Sequence, residues 1–223
     1  MTLSPTHSRY DLIIFDLDGT LIDSCLDLAN SVNHARVRMG MPPLENEIIY
    51  SYVGDGASML IQRSLGSNPE PARVETALGI FLEHYKLHLL DNTVLYPGVR
   101  ETLAQLGHLT LAVLTNKPIN PTRTILEGLA VLDRFASVYG GNSFEQKKPD
   151  PVGVYQILDD TGVVKERCLL VGDSRIDIET GRNAGVATCA VTYGLASKTL
   201  SDSRPDYIID NMRQLPAIVL SST

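Results

Sequence analysis

The sequence has no stretch that approaches the roughly 20 consecutive apolar residues a membrane helix needs, which argues against a membrane-spanning protein. Cysteine is scarce. Cys25, Cys168 and Cys189 are far apart, odd in number and form no C-x-x-C pair. That pattern argues against a disulfide framework or a structural zinc site, and a reducing cytoplasm with three buried, inert thiols is the expectation. Positive charge is also in short supply: 19 Lys and Arg stand against 26 Asp and Glu, for a net charge of -7. A nucleic-acid backbone is a poor main partner for such a chain. An acidic protein that binds an anion must use local donors and a metal. The polar segment Met1 to Arg9 reads as no signal peptide. Internal repeats and low-complexity tracts are absent as well.

What is present is an ordinary globular composition, 43% hydrophobic and 20% charged over 223 residues. Short apolar, β-branched runs recur at Tyr10–Phe15, Leu109–Leu114, Cys168–Val171, Ala187–Val191 and Tyr207–Ile209. Each reads as a strand buried on both faces, as in a parallel sheet. Between them, Pro97–Leu106, Pro121–Leu129 and Pro151–Leu158 have helical spacing, with prolines suited to a first turn. Strands alternating with helices predict an α/β fold, a Rossmann-like, doubly wound parallel sheet. From about Ser24 to Thr93 no strand-like run appears. There the apolar residues fall at helical intervals: Leu26, Leu28, Ala29, Val32 and Ala35, then Met59, Leu60, Ile61 and Leu65, then Val74, Leu78, Phe81, Leu82 and Tyr85. The expected organisation is a core domain of residues 1–20 and 95–223 with an all-helical cap, residues 21–94, inserted in it.

In open α/β sheets ligands bind at the carboxyl ends of the strands, and chemistry-bearing residues gather there. After the first run comes Asp16-Leu17-Asp18-Gly19-Thr20, after the second Thr115-Asn116-Lys117, and after Cys168–Val171 the segment Gly172-Asp173-Ser174-Arg175-Ile176-Asp177. Lys147-Lys148-Pro149 follows Tyr139-Gly140-Gly141. Carboxylates at i and i+2 past a strand end can converge on one centre, one as nucleophile and the other transferring a proton. Gly19, beside Thr20, would let backbone amides approach a phosphate closely. Carboxylates repel phosphate, so a hard divalent cation on oxygen ligands is required. Asp173 offers another carboxylate and Asp177 a fourth. Thr115 and Asn116 can donate to phosphate oxygens, and Lys148 supplies positive charge.

This ordered set resembles the haloacid-dehalogenase-like superfamily, whose signatures are an aspartate pair, a strand-end Thr or Ser, a Lys, and a G-D-x-x-x-D motif. The resemblance covers essentially the whole chain. It implies a phosphatase in which Asp16 is the nucleophile that forms an aspartyl-phosphate and Asp18 is the general acid and base. It also implies Mg²⁺ held by Asp16, the Asp18 backbone carbonyl and Asp173, with Asp177 near it. Dehalogenases of the superfamily lack the second aspartate, so Asp18 favours phosphoryl transfer.

Further stretches resemble the bacterial phosphoglycolate phosphatases among the capped members. They are Asp16–Ser24 with Asp27-Leu28, Tyr52–Ala57, Leu95–Val99, Asn116-Lys117-Pro118 and Pro205–Asp210. In the cap, Gly54-Asp55-Gly56 either faces substrate through its amides and carboxylate or is a simple interhelical turn. The implied partner is a small phosphorylated metabolite, met by a cytoplasmic monomer or homodimer. Alternatives are a phosphatase for pyrophosphate, a nucleoside monophosphate or a sugar phosphate, and a β-phosphoglucomutase-type mutase. A non-catalytic, phospho-accepting receiver module is the remaining alternative, although it would have no helical insert.

Overall fold

A computed structural model of the protein describes residues 8–220; Met1–His7 and the last three residues of the expected core segment lie outside the described residues. The sheet forms where apolar residues can be buried on both sides. Strand β1 (Leu12–Phe15) is four fully buried residues, Leu-Ile-Ile-Phe. Leu12 and Ile14 point to one face, with Ala112, Leu114, Cys168 and Leu170. Ile13 and Phe15 point to the other, with Leu111, Val113, Leu169 and Val171. That alternation is the two-residue period of a strand with no solvent face.

β1 pairs in parallel with β4 (Thr110–Leu114) on one side and β6 (Cys168–Gly172) on the other. The full order is β5-β4-β1-β6-β7-β8, with β5 (Ser137–Tyr139), β7 (Ala187–Val191) and β8 (Tyr207–Ile209) completing a six-stranded, all-parallel sheet. Helices α5 (Val99–Gln105), α6 (Ile119–Gly128) and α9 (Leu215–Val219) pack on the Phe15 face. Helices α7 (Val152–Thr161) and α8 (Arg175–Ala184) lie on the Ile14 face. The expected doubly wound fold is therefore present. The chain runs outward from β1 to β5 and returns to β6, so β1 sits at the switch point where ligands enter such sheets.

Two details differ from the sequence reading. β5, half-buried and only three residues long, is too short to show as an apolar run. Helix α6 begins at Ile119, two residues before Pro121, with Pro118 as its N-cap.

Beyond β1 the chain makes a two-residue strand, β2 (Ile22–Asp23), antiparallel to β3 (Val94–Leu95). Between these strands lie only helices among the described residues: α1 (Cys25–Arg38), α2 (Asn46–Tyr50), α3 (Ala57–Ser64) and α4 (Pro71–His88). Leu28, Ala29, Val32, Ala35, Leu60, Ile61, Phe81 and Tyr85 are buried, as their spacing predicts. Leu26, Met59 and Leu82 are exposed instead, because the helices bury a narrower stripe than the pattern suggested. The ribbon is tied down by Asp27 in the first turn of α1. Its buried carboxylate accepts from Asn92 N–H and Nδ2, and from Thr93 N–H and Oγ1. Cys25, Cys168 and Cys189 are buried free thiols.

Candidate active site

Because β1, β4 and β6 are adjacent and parallel, the residues that follow them meet at one edge of the sheet. Asp16 follows β1, Thr115 follows β4 and Asp173 follows β6. Lys148 arrives from the loop before α7, and Asp177 from the first turn of α8. The Lys148 Nζ donates to Asp16 Oδ1 at 2.8 Å and to Asp177 Oδ1 at 2.6 Å. Asp177 Oδ2 accepts from the Ser174 amide at 3.1 Å and the Ser174 hydroxyl at 2.6 Å, so it also closes the capping box of α8. Asp173 Oδ2 accepts from the Ala196 amide at 2.8 Å.

One oxygen from each of Asp16, Asp173 and Asp177 lies within 4.8 Å of the others, and all three residues are buried. Burial pushes the Asp16 carboxyl up to about 6 against the pull of the Lys148 ammonium. Burial, reinforced by the Asp177 and Asp16 charges, holds Asp173 well above the usual carboxylate range. Burial would lower Lys148, but Asp16 and Asp177 outweigh it and keep the ammonium charged. Three carboxylates around one ammonium leave a buried excess of negative charge. An all-oxygen, anionic donor set of this kind is what a hard divalent cation requires. The site therefore fits a metal.

The Asp18 carboxylate is outside that cluster. It accepts from the Ser24 hydroxyl at 2.5 Å and from Lys117 Nζ at 2.9 and 3.2 Å. Ser24 stands at the N-cap of α1 yet makes no capping bond, since its hydroxyl is spent on Asp18. Lys117 stands in the strand-end segment Thr115-Asn116-Lys117 and in Asn116-Lys117-Pro118, but the motif reading gave it no role of its own. Its side chain is only 4% exposed. Burial would lower its pKa, but Asp18 outweighs burial and holds it above the usual lysine range. The signal that could have found it is its place just past a buried strand end and before Pro118, the N-cap of α6.

A cavity of about 50 Å³ lies between this sheet edge and the helical segment. Asp16, Asp18, Thr115 and Lys117 line it from the sheet, and Val53, Gly54, Gly56, Leu60, Phe81 and Tyr85 from the helices. The structure brings Asp16, Asp18, Lys148, Asp173, Asp177 and Thr115 together, as the motif order predicts.

Four other expected site residues have different surroundings. The Gly19 amide is not free for a phosphate: it donates to Ile22 O at 2.9 Å. Gly19 (φ +85) instead gives room to Asp173, whose carboxylate an added Cβ would strike. Thr20 is fully buried away from the cavity lining, and its Oγ1 has no hydrogen-bond partner among the described residues. Asn116 lines the cavity, but its amide is occupied. It donates to Lys148 O and Gly54 O, both at 3.2 Å, and accepts from Lys148 N–H at 3.1 Å. These bonds tie the sheet edge to the lysine segment and to the helical segment. Asp55 forms an ion pair with Arg63 at 2.5 Å and lines an adjoining groove, which shares Val53 and Gly54 with the cavity, rather than the cavity itself. Its neighbours Gly54 and Gly56 do line the cavity. A Cβ on Gly56 would sit 3.0 Å from Asn116 O, so this glycine lets the helical segment close on the sheet edge.

A sheet-edge cluster of this make-up, under a helical segment inserted after the first strand, is that of a haloacid dehalogenase-like hydrolase. The model of that family matches residues 13–191, and the chain belongs to it. It is a phosphatase: its relatives include a phosphoglycolate phosphatase of Pseudomonas putida, 38% identical over 213 residues, covering 92% of this chain and 78% of that protein. A phosphoglycolate phosphatase of Vibrio vulnificus is 38% identical over 228 residues, covering 97% of this chain and 99% of the relative. The crystal structure of a predicted phosphoglycolate phosphatase from Haemophilus somnus superposes with a TM-score of 0.89 at 32% identity, covering 94% of this chain and 98% of that one. Among the described residues no helix is long and apolar enough to cross a membrane.

Proposed function

We propose that the protein is a Mg²⁺-dependent phosphoglycolate phosphatase that works through an aspartyl-phosphate on Asp16. The observation that carries this reading is the convergence of Asp16, Asp173, Asp177 and Lys148 beside a second aspartate, Asp18, that is bound separately. Two carboxylates in two environments suit two roles. Asp16 attacks phosphorus, and the ester oxygen leaves with a proton from Asp18. Asp18 then takes a proton from water, which attacks the phosphoryl group and regenerates Asp16. Lys148 keeps the attacking carboxylate ionised and offsets charge on the transferring group. Asp16, Asp173 and Asp177, with the Asp18 backbone carbonyl, would hold Mg²⁺, which when bound supplies charge neutralisation for the phosphoryl oxygens. Thr115 lies at the same edge to donate to one of them.

The helical segment, residues 21–94, is read as a cap that excludes water when it closes, hinged on the β2–β3 ribbon. The small volume, several times what one water needs, supports a short leaving group over a sugar or nucleoside. The names of the relatives support phosphoglycolate in particular, and the composition supports a cytoplasmic setting. The test is phosphate release, with Mg²⁺, from 2-phosphoglycolate, pyrophosphate, β-glucose 1-phosphate and nucleoside monophosphates. The expected result is a kcat/KM for 2-phosphoglycolate at least about tenfold above the rest. A better rate on any of the others would replace the substrate while leaving the phosphatase chemistry in place.

A further inference from the structure

The cavity contains a second cation that the phosphoryl chemistry does not use. Lys148 is bound on both sides by Asp16 and Asp177. Lys117 is different. Its ammonium has three N–H donors, and among the described residues its one ion-pair partner is Asp18, while an aromatic ring faces it on another side. That ring is Tyr85 of α4, with its centroid 4.8 Å from Nζ. Tyr85 is held in place by stacking on Phe81, 5.4 Å between centroids.

Tyr85 is 3% exposed and lines the cavity, yet its hydroxyl has no hydrogen-bond partner among the described residues. The Lys117 ammonium acts on the phenol oxygen, but a lysine can only donate, so the phenol O–H is left without an acceptor among the described residues. A buried hydroxyl left without a partner is a cost that folding alone does not explain. Burial raises this phenol to about 12, so it keeps its proton at neutral pH and is a donor. One helix of the cap and one strand end of the core thus place two donors, a cation and a neutral O–H, side by side in the same small space.

We propose that Lys117 and Tyr85 form the seat for a second anionic group of the substrate, a carboxylate next to the phosphate ester. The seat adjoins Asp18, which the proposed mechanism puts at the leaving oxygen. A carboxylate that reaches it can therefore be only one or two carbons from that oxygen. This deepens the proposed function and rests on it, because 2-phosphoglycolate has one methylene between the two groups. A carboxylate there would give the Tyr85 hydroxyl an acceptor and Lys117 a second counter-ion. An ester without that charge leaves the Tyr85 hydroxyl without an acceptor and Lys117 with Asp18 as its counter-ion, which is how a polar site rejects a close analogue. Lys117 and Tyr85 would then be specificity-determining, drawn from both sides of the closing cleft.

The experiment compares kcat/KM for 2-phosphoglycolate and for ethyl phosphate, both with Mg²⁺, in the wild type, Tyr85→Phe and Lys117→Met. Tyr85→Phe removes one phenol oxygen and keeps the ring that faces Lys117, so its fold should survive, and a thermal melt checks that. The wild type should prefer 2-phosphoglycolate by at least about 100-fold. That preference should fall about tenfold in Tyr85→Phe, a single hydrogen bond to a charged group, and further in Lys117→Met. An equal drop on both substrates in both variants overturns the seat, because it is the signature of a role confined to Asp18. A wild type that prefers 2-phosphoglycolate, with the preference intact in Tyr85→Phe, overturns the seat and spares the proposed function. A wild type with no preference between the two esters overturns the proposed substrate itself.

Discussion

Lys148 and Lys117 are both buried, both ion-paired with an aspartate of the β1 turn, and both lie a short way past the sheet edge. Their surroundings differ in kind. Lys148 is enclosed by the core: Asp16 and Asp177 hold its ammonium, and Asn116 fixes its backbone from both sides. Lys117 is shared between the core, through Asp18, and the helical segment, through the Tyr85 ring. A cation closed in by two carboxylates is built into the core's own electrostatics. A cation with one carboxylate and one aromatic face depends on where the helical segment sits. The first arrangement suits chemistry common to all substrates, and the second suits discrimination among them.

The largest effect expected on the Lys148 side is from Asp16→Asn. The amide is nearly isosteric but cannot attack phosphorus, so phosphate release should fall by about 10⁴-fold or more while the thermal melt persists. Retention of near-normal turnover would remove Asp16 as nucleophile. Asp18→Asn acts on the other side. Loss of a proton donor to the leaving oxygen should lower kcat by about 10³- to 10⁴-fold. The deficit should shrink for esters whose leaving alcohol is strongly acidic, such as p-nitrophenyl phosphate, and an equal deficit on all esters would contradict the acid role. Lys148→Met comes next, at about 10²- to 10³-fold in kcat. It should also destabilise the metal-free protein by about 3–5 kcal/mol, as it strands two buried carboxylates. Lys117→Met strands only Asp18, whose side chain is 13% exposed, so its loss in a urea melt should be smaller. Equal losses would erase the contrast between the two lysines.

The smallest effect is on pH. Asp16 titrates near 6 and Asp173 well above an ordinary carboxylate in the metal-free protein. Because their pKa values are raised by folding, the folded protein binds more protons than the unfolded chain above pH 4. These carboxylates therefore cost stability as pH rises through 6. A divalent cation competes with those protons. The rise in Tm caused by saturating Mg²⁺ should be largest at pH 7 to 8 and decline as pH falls through about 6. EDTA should abolish it along with activity. A Tm shift that does not vary with pH would argue that the cation binds elsewhere.

The strands β1, β4, β6, β7 and β8 were legible because each is an apolar, β-branched run buried on both faces. β5 was not, being three half-buried residues at the sheet edge. The ribbon β2–β3 has two residues per strand, too few for any period. Helical spacing found α1, α3 and α4 but overstated their buried faces at Leu26, Met59 and Leu82, since spacing does not show which neighbour a face meets. Among site residues, those that follow strands were readable one motif at a time. Gly19, Asn116 and Asp55 were given the wrong partners. The Gly19 amide, the Asn116 carboxamide and the Asp55 carboxylate are taken by Ile22 O, the Lys148 backbone and Arg63. Each competing partner is remote from its motif or lies outside it.

By itself the sequence determined the parallel sheet, the helical insertion and the acidic motifs, because periodicity and strand-end position are local properties. Tertiary structure alone decided that Asp16 and Asp18 have separate lysines and that Asp177 serves both a helix cap and Lys148. It alone also decided that Tyr85 of the helical segment lies against Lys117 of the sheet edge. Those pairings join segments far apart in the chain, and burial makes each one matter. Out of water, a charge or a hydroxyl is defined by the few atoms packed against it, and no local pattern names those atoms.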